Sequence, residues 1–254
     1  MRFALLGSGS EGNGLLVQAA DTCLLMDCGF SVSDTLTRLA RLGVAASQLA
    51  GIVVTHEHTD HVRGVAPLAR KFNLPIWMTH GTRRAQPTAF ADLLVTEISP
   101  QTRFAIGAIE VRPFLVPHDA TEPVQYVFGD GAVNLGVLTD SGHITPHIET
   151  MLTACDALVL ECNHDETMLH NGRYPPRLKQ RVAGPYGHLS NGQAAALLRR
   201  LGGRRWQHVV AAHLSQENNL PELAVQALSE ALGCAADWVG VADQQTGLDW
   251  REIT

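Results

Sequence analysis

Five short apolar runs along this chain each end in a residue able to hold a cation. Cys23-Leu24-Leu25-Met26 leads into Asp27, Ile52-Val53-Val54-Thr55 into His56, Leu115-Val116-Pro117 into His118, Gly136-Val137-Leu138-Thr139 into Asp140, and Val209-Val210-Ala211-Ala212 into His213. Runs of this length and composition read as buried strands. Residues that follow buried strands can converge at one sheet edge, where α/β proteins place ligand sites. His118 or His213 alone would be an ordinary loop histidine; as members of this set both are candidate metal ligands.

The second run continues as His56-Glu57-His58-Thr59-Asp60-His61, three histidines and an aspartate within six residues. In an extended turn His56 and His58 point the same way and can grip one ion. Asp60 and His61, at the start of the following helix, can grip a second. Imidazole and carboxylate together suit zinc or a similar divalent ion. A solvated polar loop explains one histidine; it does not explain this spacing.

Around these residues the chain reads as strands first, then strands alternating with helices, in both halves. Strands are expected at 3–6, 15–17, 23–26 and 52–54, with helices at 32–42 and 62–71. The middle is strand-rich, at 93–98, 104–106, 109–116, 124–128 and 133–138. Helix 145–152 then precedes strand 157–160, helix 190–201 precedes strand 208–211, and helix 221–232 precedes strand 238–241. Two mixed sheets face to face with helices outside, a four-layer αββα sandwich of the α/β class, accommodate that order. Over 254 residues this is expected to form one domain, 1–254.

Composition sets the class of protein. With 45% hydrophobic and 17% charged residues the chain is too apolar to be disordered. No apolar run reaches the roughly eighteen residues of a membrane helix. Met1 to Gly7 turns glycine-rich before a signal-peptide core forms, so a cytoplasmic protein is expected. Five cysteines without a CxxC spacing fit reduced, buried thiols. The net charge of −6 leaves no global basic field, so any nucleic-acid contact has to be local. Arg173, Arg177, Lys179 and Arg181 form one such patch, or a solvated loop. Gly7 to Gly14 is a turn-forming stretch, an amide nest for anions or a tight connection between strands.

Asp27, the run His56 to His61, His118, Asp140 and His213, in that order, resemble the metallo-β-lactamase superfamily over nearly the whole chain. The resemblance implies the αββα fold and two divalent metal ions, zinc foremost and manganese next. His56, His58 and His118 would hold one ion and Asp60, His61 and His213 the other, with Asp140 bridging and Asp27 orienting a ligand histidine. The flavodiiron branch carries a carboxylate ligand where His58 stands, which disfavours an oxygen-reducing iron site. β-Lactam hydrolases generally carry Cys where Asp140 stands.

Glu161-Cys162-Asn163-His164-Asp165, Gly187-His188-Leu189-Ser190-Asn191 and His213-Leu214-Ser215-Gln216-Glu217-Asn218-Asn219 resemble stretches of tRNA-processing and RNase J-type nucleases. With Ser8-Gly9-Ser10-Glu11-Gly12-Asn13 they are closer still to the WalJ/YycJ group of exonucleases. Gly192 departs from that group, where an acidic residue is expected. The resemblance implies a 5′-to-3′ exonuclease on DNA, in which a hydroxide bridging two ions about 3.5–4 Å apart attacks phosphorus. Asp60, His188 and Glu161 are the candidate catalytic residues, with His188 protonating the leaving oxygen and Glu161 orienting it. Ser190 and Asn191 amides at a helix start, and His164, are candidate phosphate contacts. Ser190 also reads as a plain helix cap, Glu161 as a strand-end carboxylate paired with a base, and His164 as a turn residue. Two other functions fit the same residues: a small-molecule (cyclic) phosphodiesterase, and a non-catalytic regulatory metal-binding module.

Overall fold

Alternate side chains along the central strands are buried on opposite faces, and that alternation divides the interior into three layers of apolar contact. The computed structural model describes residues 1–202 and 206–254. Strands β1 (Arg2–Gly7), β2 (Gly14–Ala19) and β3 (Thr22–Met26) form a meander. Helix α1 (Val32–Arg41) carries the chain to β4 (Leu49–Val53), α2 (Thr59–Val62) and α3 (Val65–Phe72) carry it to β5 (Ile76–Thr79), and α4 (His80–Ala85) to β6 (Val95–Ile98). Strands β3 to β6 pair in parallel.

The second half repeats the plan. Strands β7 (Phe104–Ile106), β8 (Ile109–Leu115), β9 (Val124–Gly129) and β10 (Asn134–Leu138) run antiparallel. After α5 (Pro146–Leu152), β11 (Ala157–Glu161) joins β10 in parallel. Helices α6 (Glu166–Asn171), α7 (Pro176–Val182) and α8 (Asn191–Leu201) lead to β12 (His208–Ala212), and α9 (Pro221–Leu232) to β13 (Gly240–Val241). Strand β14 (Leu248–Glu252) returns to the first half and pairs with β1. The result is two seven-stranded mixed sheets, ordered β14-β1-β2-β3-β4-β5-β6 and β13-β12-β11-β10-β9-β8-β7.

Phe3, Leu5, Leu24 and Met26 from the first sheet meet Val111, Tyr126, Val137 and Val159 from the second between the layers. The intervening Ala4, Leu6, Cys23 and Leu25 turn the other way, onto Leu39 of α1 and Val65, Leu68 and Ala69 of α3. Leu158 and Leu160 likewise face Ile148 of α5, Leu197 of α8 and Leu228 of α9. This is the αββα sandwich that the sequence predicts.

Several elements differ from the sequence reading. The single helix expected over 62–71 is two helices, α2 and α3. At Gly64 the amide donates to the Cys28 carbonyl at 2.7 Å, and a side chain there would strike the Phe30 carbonyl. The strand expected at 238–241 is only Gly240–Val241, preceded by a tight turn at Ala236–Trp238. Strands β5 and β14 and helices α4, α6 and α7 were not expected. Among the described residues no helix is long and apolar enough to cross a membrane. The five cysteines form no disulfide.

Candidate metal centre

The chain enters the site through unusual backbone. Asp27, Asp140 and His213, at or just past the ends of β3, β10 and β12, have φ of 59°, 53° and 54°. This left-handed region costs an L-residue roughly 1–2 kcal/mol, and Asp tolerates it better than most. The sharp turn at each strand end brings its side chain to the shared edge. A strut holds the two sheets in register there: Tyr126 Oη of β9 donates to the Val54 carbonyl at 2.7 Å, and the Val124 amide to the Thr55 carbonyl at 3.1 Å.

Two groups of donors meet at this edge. His56, His58 and His118 form one; Asp60, His61, Asp140 and His213 form the other, and in each the ligand atoms all lie within 4.8 Å of one another. Asp140 stands between them, Oδ2 at 3.2 Å from His61 Nε2 and Oδ1 at 3.4 Å from His213 Nε2 and 3.9 Å from His118 Nε2. Asp60 Oδ2 is 3.4 Å from both His61 Nε2 and His213 Nε2.

Hydrogen bonds on the far ring nitrogens set which nitrogen faces inward. His118 Nδ1 donates to the Gly187 carbonyl at 3.0 Å, leaving Nε2 for the site. His58 is reversed: Nε2 donates to the Asp119 carbonyl at 3.2 Å, leaving Nδ1. Asp27 organises two rings, accepting from His61 Nδ1 at 2.8 Å and from Thr55 Oγ1 at 2.8 Å, which sits 2.9 Å from His56 Nδ1. Such outer partners fix tautomer and orientation in metal sites.

The donor set fits divalent cations. His56 Nε2 and Asp140 Oδ2 are buried with no hydrogen-bond partner, a state that costs about 1–3 kcal/mol for a polar atom left unsatisfied. Burial opposes protonation of His213, yet Asp140, Asp60 and Glu161 outweigh it and push its pKa up to about 10. Against the same burial, Asp140, Asp60 and Asp27 carry His61 well above the usual histidine range. Burial and His61 push His56 well down, and burial lowers His118. Despite burial, the facing histidines hold Asp60 and Asp140 well below the usual carboxylate range. One pole of the site therefore draws positive charge and the other presents neutral imidazoles, the two kinds of donor that zinc and manganese accept.

Beside the cluster, Glu161 at the end of β11 is fully buried. Oε2 accepts the Ser141 and Leu189 amides, both at 3.0 Å, and Oε1 accepts from His188 Nδ1 at 2.8 Å. Burial works to raise the carboxyl, but His188, joined by a contact from His213, holds its pKa at about 2. His188 Nε2 is left toward the cleft.

The amides expected to contact phosphate are already paired within the protein. The Ser190 amide donates to Gln193 Oε1 and the Asn191 amide to the His164 carbonyl, both at 2.9 Å. Ser190 Oγ accepts from the Gln193 amide, completing a capping box for α8. His164 is buried beneath this turn, bridged to Ser190. None of the three is among the described residues that line the cleft. At Gly192, a side chain would lie 3.3 Å from Glu166 Oε1, which accepts from Ser190 Oγ at 2.9 Å. The carboxylate beside this helix start comes from α6.

Residues to which the sequence reading gave no individual role complete the site. Asn13 Nδ2 lies 3.3 Å from Asp60 Oδ2 and 3.2 Å from His61 Nε2, and Ser8 Oγ accepts the His213 amide at 2.9 Å. The Ser8, Gly9, Glu11, Gly12 and Asn13 amides all donate within the protein, so these residues serve as a connection between β1 and β2. Asn163 Nδ2 donates to the His213 carbonyl at 3.1 Å. Ser8 sits directly after β1, the same signal that exposed the other site residues, whereas Asn13 sits directly before β2.

A family model described as a β-lactamase superfamily domain matches residues 22–213. The chain belongs to the β-lactamase superfamily. Within it the chain is 36% identical over 242 residues to exodeoxyribonuclease YycJ of Bacillus anthracis, covering 91% of this chain and 89% of that protein. It is 33% identical over 247 residues to exodeoxyribonuclease WalJ of Streptococcus pneumoniae, covering 94% and 91%. In fold it is similar to the metallo-β-lactamase fold protein YhfI of Bacillus subtilis, with a TM-score of 0.76, 17% identity and 99% of each chain covered. The chain is thus a hydrolase of the metallo-β-lactamase superfamily, similar over most of its length to the YycJ and WalJ exonucleases. In this superfamily member the candidate metal centre opens into a cleft of about 380 Å³ lined by His58, Asp60, Asp140, His188 and His213 together with Tyr174 and Arg181.

Proposed function

We propose that this chain is a two-metal phosphodiesterase that degrades DNA from its 5′ end, working in the cytoplasm. The observation that carries it is the juxtaposition of His188, held by buried Glu161, with a cluster of seven metal-type ligands that shares Asp140. The relatives named exodeoxyribonucleases support DNA as the substrate.

In this reading His56, His118 and His58, the last through Nδ1, hold one ion; Asp60, His61 and His213 hold the other, with Asp140 between. Zinc or manganese, when bound, supplies positive charge that polarises a water molecule and neutralises the phosphoryl oxygens. Hydrolysis forms one P–O bond from water and breaks the bond to the 3′ oxygen of the departing nucleotide, which needs a proton. His188 donates that proton through Nε2, and Glu161, bonded to Nδ1, fixes its ring. Asp27 keeps His61 in the tautomer whose Nε2 faces inward.

End-labelled duplex and single-stranded DNA and RNA, digested with zinc or manganese added singly, test the proposal. Stepwise release of 5′-terminal nucleotides from DNA is expected. Hydrolysis confined to small chromogenic or cyclic diesters would instead favour a small-molecule phosphodiesterase. Loss of metal and of all hydrolysis in Asp60→Ala is expected; a physiological effect surviving that loss would favour a non-catalytic module.

A further inference from the structure

We infer that Tyr174 and Arg181, on the segment that carries α7, form the seat for the 5′-terminal nucleotide, with Tyr174 under its base and Arg181 on its 5′-phosphate. This rests on the exonuclease reading. The leaving 3′ oxygen belongs to the terminal nucleotide, so that nucleotide lies on the His188 side of the scissile phosphorus. The side chains that line this cleft with His188 include Tyr174 and Arg181.

Both have the freedom that the role requires. Arg181 Nε is anchored on Asp119 Oδ2 at 2.6 Å, while its two Nη groups bond to no described residue and the side chain is 58% exposed. A guanidinium fixed on one edge and open on the other suits bidentate binding of a phosphate. Asp119 also takes His58 Nε2 on its carbonyl, which ties the position of Arg181 to the metal centre. Tyr174 is half-buried in the cleft wall, and its hydroxyl bonds to no described residue. An aromatic ring there offers a stacking face to any base, a sequence-independent grip.

The surroundings match. Helix α7 buries no residue fully, so no core position fixes its basic residues. Arg177 and Arg181 stand four apart on it, on one face, with Lys179 pinned to the His170 carbonyl. These charges form a local basic field beside the cleft in a chain of net charge −6.

The test compares oligodeoxynucleotides that differ only in a 5′-phosphate or a 5′-hydroxyl. Wild-type enzyme is expected to prefer the phosphorylated end by about tenfold or more in kcat/KM, the strength of a charge-assisted contact. Arg181→Ala brings that ratio close to one, and Arg181→Lys retains part of it. Tyr174→Ala raises KM about tenfold on both ends, while Tyr174→Phe stays near wild type. Because the readout is a ratio within each variant, partial loss of fold cannot imitate it. A ratio that survives in Arg181→Ala, or wild-type enzyme indifferent to the 5′ group, overturns the inference while leaving DNA digestion in place. Absence of any DNA digestion by the wild type would instead overturn the exonuclease reading.

Discussion

At the scale of single residues, the site is a set of donors whose protons are assigned by what stands behind them. Asp27 shows this most clearly, because Oδ2 accepts from both His61 Nδ1 and Thr55 Oγ1. In Asp27→Asn the amide would turn a donor toward one of two donors, favouring the His61 tautomer with its proton on Nε2, where a ligand needs a lone pair. Metal affinity should fall about 10- to 100-fold, measured by competition with a chromophoric chelator; unchanged affinity would remove Asp27 from the role. His188 makes a sharper case. His188→Ala should slow DNA hydrolysis about 10²- to 10⁴-fold yet slow a nitrophenyl diester far less, since nitrophenolate leaves without help. Equal losses on both substrates would refute the general-acid role. Asp27 was legible in the sequence because it follows an apolar strand, and His188 only because Gly187-His188-Leu189-Ser190-Asn191 resembles nuclease stretches. Asn13, Thr55, Asn163 and Asp119 were not, because single polar residues in turns are common and only the folded chain brings them behind the ligands.

At the scale of elements, what the sequence reveals depends on whether burial writes a pattern. Strands with two buried faces, such as β3 and β11, appear as continuous apolar runs and were found. Strand β14 alternates between exposed and covered positions at a sheet edge, β5 spans only Ile76–Thr79, and α7 buries nothing, so none left a readable period. The break between α2 and α3 follows from a tertiary approach at Gly64 that no periodicity encodes. A related approach at Gly29 is more consequential. A Cβ there would fall on the Asp60 carbonyl, while the Gly29 amide donates to the Asn13 carbonyl at 2.9 Å. Gly29→Ala should push the start of α2 outward and lower bound metal and turnover together, read by elemental analysis alongside rates; normal metal content would mean that the helix yields without moving Asp60. The start of α8 separates structure from chemistry. Ser190 accepts the Gln193 amide, so Ser190→Ala should cost about 1 kcal/mol of stability, seen as a lower urea midpoint, and leave KM for DNA unchanged. A large rise in KM would restore the phosphate contact that the occupied amides argue against.

At the scale of the whole molecule, two halves of one plan, each an antiparallel meander followed by parallel strands, close on each other and are tied by β14 returning to β1. The shared interior layer and the Tyr126 strut join them at the edge where the site lies, and we propose that residues 1–254 fold as one domain. Circular dichroism and tryptophan fluorescence should then report a single, coincident urea transition. The interior also makes a prediction about alkali. Burial pushes Cys23 and Cys28 up to about 11, even though Arg2 pulls Cys23 down and a hydrogen bond to Thr35 pulls Cys28 down. Burial likewise raises Cys162 and Tyr126. In the unfolded chain these thiols lose their protons near pH 9. Above that the unfolded state binds fewer protons than the native one, and the slope of stability against pH is negative. The contribution is therefore complete below about pH 9 and drains away toward pH 11. Lys71 and Lys179 are the only lysines in the sequence, so few other groups titrate across that window. The urea midpoint should fall steadily between pH 8.5 and 10.5, while at pH 8 only Cys234, the one cysteine that is not buried, should react quickly with a thiol reagent. A flat midpoint together with several fast thiols would mean that the layers beneath the sheets admit water.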